Sequence, residues 1–445
     1  MITGKAPVQR SKPTRMKTRT ISLILFIVVL SACSDNPPPP PAKMSIAVVS
    51  DIHYMAPSLL VNGAENGEAF QNYLNADPKL IQYSDAITHQ LVEELLTSRP
   101  DLLLIPGDLT KDGERVSHQA LIALLQQLRS NGTKVLVVPG NHDINNPEAA
   151  AYDGDNATPT TSISATEFAD LYKDFGYETA LYRDPNSLSY VSAVPYPNLW
   201  ILAIDDCKYA ENTDIAIIGG NIKDATRQWI LDRLAEAKQK GIRVFAMMHH
   251  NLVEHYEGQN QLDPEYVTDN WETNSHAFMD AGLELIFTGH YHANDVTAYS
   301  YNNKTLYDVE TGSQVNPPLP YRTMALTEKM LSVQSKHITN INASLPGGAD
   351  LVTYSRAFFS AHLDGAFSYL LTQEPFSLSE ADAAAAAPYF RDAYMAHFAG
   401  DEVMPNAVAT YLNDLTSLSP IAAMALATLW TDINTPDNDY TITLN

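Results

Sequence analysis

Five short polar elements carry residue types able to do chemistry: Asp51-Ile-His53, Gly107-Asp108, Gly140-Asn-His-Asp143, His249-His250 and Gly289-His-Tyr-His292. Carboxylate oxygen, imidazole nitrogen and an Asn carbonyl form a mixed nitrogen and oxygen donor set without thiolate. Such a set suits manganese, iron, zinc or magnesium, and the imidazoles argue against a purely hard cation. In an extended segment, side chains at i and i+2 project to one side. Asp51 with His53, and His290 with His292, can therefore each offer two groups together. Asp108, a lone carboxylate, can bridge two close ions. Gly107, Gly140 and Gly289 permit tight turns and close backbone approach where ligands must be aimed inward. Singly, Asp-x-His also describes a capped turn, Gly-Asp an ordinary loop, and His-His a buried core pair. Five such elements in this order predict one shared metal site.

The elements that must position them are legible in the same stretch. Each polar cluster closely follows an apolar run: IAVVS, LLLIP, VLVVP, VFAMM and LIF. Sites in open α/β sheets lie beyond the carboxyl ends of the strands, where loops converge. Strands are expected at Ser45–Ser50, Asp101–Ile105, Lys134–Val138, Ser187–Val194, Leu199–Ile204, Ile242–Met248, Leu283–Thr288, Asp295–Tyr301 and Thr305–Val309. Helical spacing marks Ser84–Ser98, Arg115–Ser130, Lys223–Lys240 and Glu272–Ala281. Strands bounded by helices, followed by strands with none between them, predict two packed sheets. After about Thr323, Ala-rich amphipathic stretches (Ala349–Thr372, Leu378–Ala399, Met404–Leu418, Pro420–Asp432) predict a small helical C-terminal domain at 324–445.

The first residues are set apart. Met1–Thr20 carries six Lys or Arg and no acid, the apolar run Ile21–Leu30 follows, and then Ser31-Ala32-Cys33. The pattern predicts a secretory signal peptide over residues 1–32, its apolar run too short for a membrane span. Leu30-Ser-Ala-Cys33 resembles a bacterial lipobox, which implies lipid attachment at Cys33 and a cell-envelope location, periplasmic or on the surface. Pro37–Pro41 then reads as a stiff spacer within residues 33–43. Without residues 1–32, Lys plus Arg falls from 28 to 22 against 52 acids, for a net charge of −30. Such a body repels polymeric nucleic acid but admits a small anionic ester where bound cations reverse the local sign. Cys207 is the only other cysteine, so no internal disulfide is expected.

In order and in type, the five elements resemble the calcineurin-like metallophosphoesterase family over Met44–Thr323. The resemblance implies an α/β (α+β) fold: two β-sheets packed face to face with helices outside. It implies two divalent or trivalent ions (Mn, Fe, Zn or Mg), one held by Asp51, His53, Asp108 and His292. The other would take Asp108, Asn141, His290 and His249, with His250 the competing candidate. Asn141 and His142 would contact substrate, and His142 would also be the catalytic acid. The Asp-Arg-Gly continuation of protein phosphatases is missing after Gly107-Asp-Leu-Thr110. The stretches Gly107–Glu114, Gly140–Asn146 and Glu310–Ser313, the lipobox and the helical tail look like bacterial lipoprotein cyclic-nucleotide phosphodiesterases.

Hydrolysis of a 3′,5′-cyclic nucleotide by a metal-bridging hydroxide is the leading expectation. Two cations about 3.5–4 Å apart acidify a shared water and hold the ester in line. His142 protonates the leaving oxygen, oriented by Asp143 or another carboxylate, although Asp143 also reads as a helix cap. The competing expectations are a phosphomonoesterase, a cell-envelope phospholipid diesterase, and a non-enzymatic surface binding module. Asn251 and Tyr291 are candidates to line the substrate pocket. Asp205-Asp206 reads as a turn, and His89, His118, His255, His276, His337, His362 and His397 read as surface or core.

Overall fold

The computed structural model describes residues 43–400, 402–431 and 436–444. The expected signal peptide, Cys33 and nearly all of the proline spacer lie outside the described residues. Six strands form a first sheet in the order Asp439–Thr443, Met330–His337, Pro320–Leu326, Met44–Val48, Leu102–Pro106, Lys134–Val138. Met44–Val48, Leu102–Pro106 and Lys134–Val138 run parallel, whereas the strands on the other side of Met44–Val48 pair antiparallel. Seven strands form the second sheet: Val296–Tyr301, Lys304–Glu310, Leu285–Thr288, Arg243–Met247, Leu199–Ala203, Tyr190–Ala193 and Tyr182–Arg183. Its centre, from Lys304–Glu310 to Leu199–Ala203, is parallel. A small ribbon joins Leu60–Val61, Ala150–Asp153 and Asn156–Pro159.

The period of two explains why these strands read as continuous apolar runs. Leu199, Ile201, Ala203, Phe245, Met247, Leu285 and Phe287 share one core with Ile46, Val48, Leu102 and Leu104 of the first sheet. Their neighbours Trp200, Leu202, Val244, Ala246 and Ile286 face the other way, against Ile230 and Leu234 of the helix Asp224–Lys240 and Phe278 of Trp271–Ala281. Both faces are covered, so no polar alternation is needed.

The expected helices Ser84–Ser98 and Arg115–Ser130 form with those bounds. The tail differs from expectation. Helices occupy Leu351–Leu370, Glu380–Ala399, Asn406–Leu418 and Pro420–Thr428, but Met330–His337 and Asp439–Thr443 are strands of the first sheet. The helices bury their own cluster, including Phe359, Phe367, Phe390 and Leu426, which continues onto Tyr256, Tyr291 and Ala293. Among the described residues no helix is long and apolar enough to cross a membrane.

One buried ring braces the loop that carries Asn141 and His142. His118 Nε2 lies 2.9 Å from the carbonyl oxygen of Asp143, which can only accept, so Nε2–H donates. Nδ1, 2.9 Å from the Tyr172 hydroxyl, therefore accepts. Burial pushes this imidazole down to about 3, so it stays neutral in the fold, whereas an unfolded His takes up a proton near 6.5. The stability this confers is complete above about pH 6.5 and is lost as pH falls toward 3, by several kcal/mol at most. Gln in place of His118 can keep one donor and one acceptor but cannot titrate. His118→Gln should cost about 1–2 kcal/mol near neutral pH, and urea denaturation should show this deficit narrowing between pH 6.5 and 4. A deficit constant with pH would contradict the neutral-ring assignment.

Candidate metal centre

The five polar elements meet at the carboxyl ends of strands from both sheets. Asp51 and His53 follow Met44–Val48, Asp108 follows Leu102–Pro106, and Asn141 and His142 follow Lys134–Val138. His249 follows Arg243–Met247, and His290 and His292 follow Leu285–Thr288. Ligating atoms of Asp51, His53 and His292 lie within 4.8 Å of one another, as do those of Asp108, His249 and His290. Asp108 joins the two groups. Its Oδ2 is 3.5 Å from His53 Nε2 and 3.5 Å from His249 Nε2. Asn141 Oδ1 is 3.0 Å from His249 Nε2.

This donor set fits cations. His53 Nε2 and His292 Nε2 face each other at 3.3 Å, and Asp51 Oδ1 is 3.3 Å from His292 Nε2. That oxygen is fully buried with no hydrogen-bond partner, a costly state unless a cation completes it. The second oxygen of Asp51 is already engaged by the Ser50 hydroxyl and the His290 amide. Charge runs the same way. Burial alone would raise Asp108, but His249, His142 and His53 hold its carboxyl well below the usual range.

The backbone reaches this arrangement differently from the expected extended i, i+2 geometry. Asp51, His53, Asp108, His290 and His292 all have positive φ, between 44° and 75°. Non-glycine residues rarely sit there, and such strain collects at functional sites. Pairs of ligands converge because the strand ends turn sharply, not because a strand continues. Close approach also decides two glycines. A Cβ on Gly140 would stand 2.1 Å from Asp108 Oδ1, and one on Gly289 would stand 1.9 Å from Ser50 Oγ.

The adjacent histidines separate cleanly. His249 points at Asp108 and Asn141, with Nδ1 3.0 Å from the Pro106 carbonyl. His250 turns away: its Nδ1 is 3.0 Å from Asp206 Oδ1 and its Nε2 2.7 Å from the Ile218 carbonyl. Asp206 is thus the anchor of His250 rather than merely a turn. Asn251 and Tyr291, the candidates to line the substrate pocket, are engaged by neighbouring side chains. Both are buried, Asn251 toward Glu310 Oε2 at 3.2 Å and Tyr291 against Tyr256, Tyr394 and Phe398.

Beside the centre stands His142, the most exposed of these imidazoles, with Nε2 4.0 Å from Asp108 Oδ2. Its Nδ1 is 3.0 Å from Asp112 Oδ1. Asp112, absent from the expected site, is the carboxylate that orients the ring. Asp143 is occupied elsewhere, accepting from the amides of Leu109, Thr110 and Gly140 and from the Thr110 hydroxyl. It locks two ligand loops together instead of capping a helix. Lys111, wholly buried, pairs with Asp112 and with Glu114 Oε1 at 3.2 Å. Burial would raise Asp112, yet Lys111 and His142 hold it below its ordinary value. Lys79, paired with Asp77 at 3.2 Å, also feels the charges of Asp112 and Asp108. The sequence signal for Asp112 was its place in Gly107–Glu114; Lys79 had none.

Residues 44–294 match the calcineurin-like phosphoesterase family. No curated protein matches the chain. Among solved structures, a dimetal phosphatase from Danio rerio is 15% identical over 66% of this chain and 96% of its own, with a TM-score of 0.47. A purple acid phosphatase from yellow lupin (Lupinus luteus) seeds is 13% identical over 67% of this chain and 52% of its own, with a TM-score of 0.40. The family match spans more than half of the sequence and takes in each candidate ligand from Asp51 to His292. On that ground the chain belongs to the calcineurin-like phosphoesterase family and is a dinuclear metal-dependent phosphoester hydrolase.

Proposed function

We propose that the protein is a phosphodiesterase whose leading substrates are 3′,5′-cyclic nucleotides. In this reading Asp51, His53, Asp108 and His292 hold one ion, and Asp108, Asn141, His249 and His290 hold the other. The observation that carries it is the Asp108 carboxylate, with one oxygen at 3.5 Å from an imidazole of each group. When bound, the metals supply an acidified water and neutralise phosphate charge. The chain supplies the rest. Asp112 fixes His142 through Nδ1, which leaves Nε2 facing the centre to give a proton to the departing oxygen. Burial would lower His142, but Asp108 and the hydrogen bond to Asp112 raise it above its ordinary value. Lys79 adds a cation for substrate phosphate. A diester with an alkoxide leaving group needs that proton most.

A second reading, a diester with an apolar tail, is favoured by a cavity of about 520 Å³. Its lining includes Leu262, Leu363, Phe367 and Phe390, together with Tyr256 and Tyr394, which contact Tyr291 of the Gly289–His292 loop. Leu30–Cys33 supports a lipid anchor on the bacterial envelope. Cys33→Ser should then move the protein from the membrane to the soluble fraction; continued sedimentation with membranes would count against the anchor.

Metal-loaded protein should hydrolyse cyclic nucleotides and bis-nitrophenyl phosphate faster than mononucleotides and nitrophenyl phosphate. Turnover restricted to detergent-presented phospholipid would replace the first reading with the second, and preference for monoesters would dismiss both. Asp108→Ala should remove turnover and bound metal together; full rate with full metal would refute the site assignment.

His142→Ala should retain metal yet slow alkyl esters by about 10²–10⁴-fold, and nitrophenyl esters much less. Asp112→Asn should cause a smaller loss of the same kind and move the basic limb of the pH–kcat profile to lower pH. Equal slowing of both ester types would exclude an acid role for His142.

A further inference from the structure

We infer that Asp295, His397 and Glu402 form a third cation site, separate from the dinuclear centre, at the seam between the C-terminal helices and the second sheet. Asp295 lies just before the strand Val296–Tyr301, and His397 is in the last turn of the helix Glu380–Ala399. The helix ends at Gly400, which has a φ of 67°, and the Glu402 carboxylate lies beside His397. Asn438 Nδ2 holds this turn by donating to the carbonyls of Ala399 and Gly400. His397 Nδ1 is then 2.6 Å from Glu402 Oε1 and 3.8 Å from Asp295 Oδ2. One ligating atom from each residue lies within 4.8 Å of the others.

Protons alone do not complete this cluster. His397 Nδ1 has a single hydrogen, and Glu402 is placed to take it. Asp295 Oδ2 is left with no hydrogen-bond partner, although the residue is only 1% exposed. Its other oxygen is engaged by His255 Nδ1. The nearby cation Arg322 gives no relief. Its nitrogens donate to the carbonyls of Glu310, Asp437 and Asp295 and to the Ser335 hydroxyl. His255 pairs with this carboxylate through one oxygen only, the buried Oδ2 left unmatched is costly, and a divalent ion would satisfy all three donors at once. One imidazole with two carboxylates suits zinc or manganese. Such an ion would clamp the end of the helix to the segment three residues beyond His292.

The test is the metal content of the full-length protein after incubation with Zn²⁺ and desalting, measured by mass spectrometry. Glu402→Gln and His397→Gln, both close in volume to the parent residues, should each bind one zinc fewer than the parent. The same difference of one should separate Asp108→Ala from Asp108→Ala/Glu402→Gln. That second pair keeps the question independent of how many ions the dinuclear centre holds. Zn²⁺ should also raise the melting temperature of Asp108→Ala but not of the double variant. Equal zinc counts within both pairs, with far-UV circular dichroism matching the parent, would overturn the proposal.

Discussion

A carboxylate oxygen that two buried imidazoles approach, each at 3.5 Å, is the constraint on which this molecule turns. Asp108 stands among donors that follow strands of both sheets, and neither sheet could build the site alone. His53 is delivered by the first sheet, His249 by the second. The inter-sheet core of Ile46, Leu104, Phe245 and Phe287 is therefore part of the catalytic apparatus in a physical sense. It fixes the spacing across which the ligands must meet. Close-packed interiors deform little, so a shift in that core is felt at the ligands.

Holding so many donors together has a local cost, which the surroundings absorb. Five candidate ligands occupy positive φ. They are kept there by backbone hydrogen bonds such as His53 N to the Asp108 carbonyl and by the four donors gathered on Asp143. Asp143 contributes no chemistry at the reacting atoms. Its two oxygens bind the Gly107–Thr110 loop to the Gly140–Asp143 loop, so that Asp108 and Asn141 move as one piece.

Much of this was legible in the sequence because apolar strands and the polar clusters behind them are local signals. The strand Lys134–Val138 and the helices Ser84–Ser98 and Arg115–Ser130 match the expected bounds. What escaped was non-local. Asp112 is one carboxylate among many until the fold sets it 3.0 Å from His142. Tyr291 stands between His290 and His292 in sequence, yet its ring packs against Tyr256, Tyr394 and Phe398. The i, i+2 argument brought the right side chains together for the wrong backbone reason. The short strand Asp439–Thr443 was missed because its partner, Met330–His337, lies about a hundred residues upstream.

That late strand has a topological consequence. Met330–His337 and Asp439–Thr443 are antiparallel neighbours, so everything from Leu351 to Thr428 amounts to an oversized hairpin connection between adjacent strands. Its two roots stand one strand spacing apart, about 5 Å. An element rooted in that way can be enlarged, trimmed or exchanged without re-threading the sheet beneath it. The sheet thus sets no limit on the length of this connection, even though its helices press directly on the loop that carries His290 and His292.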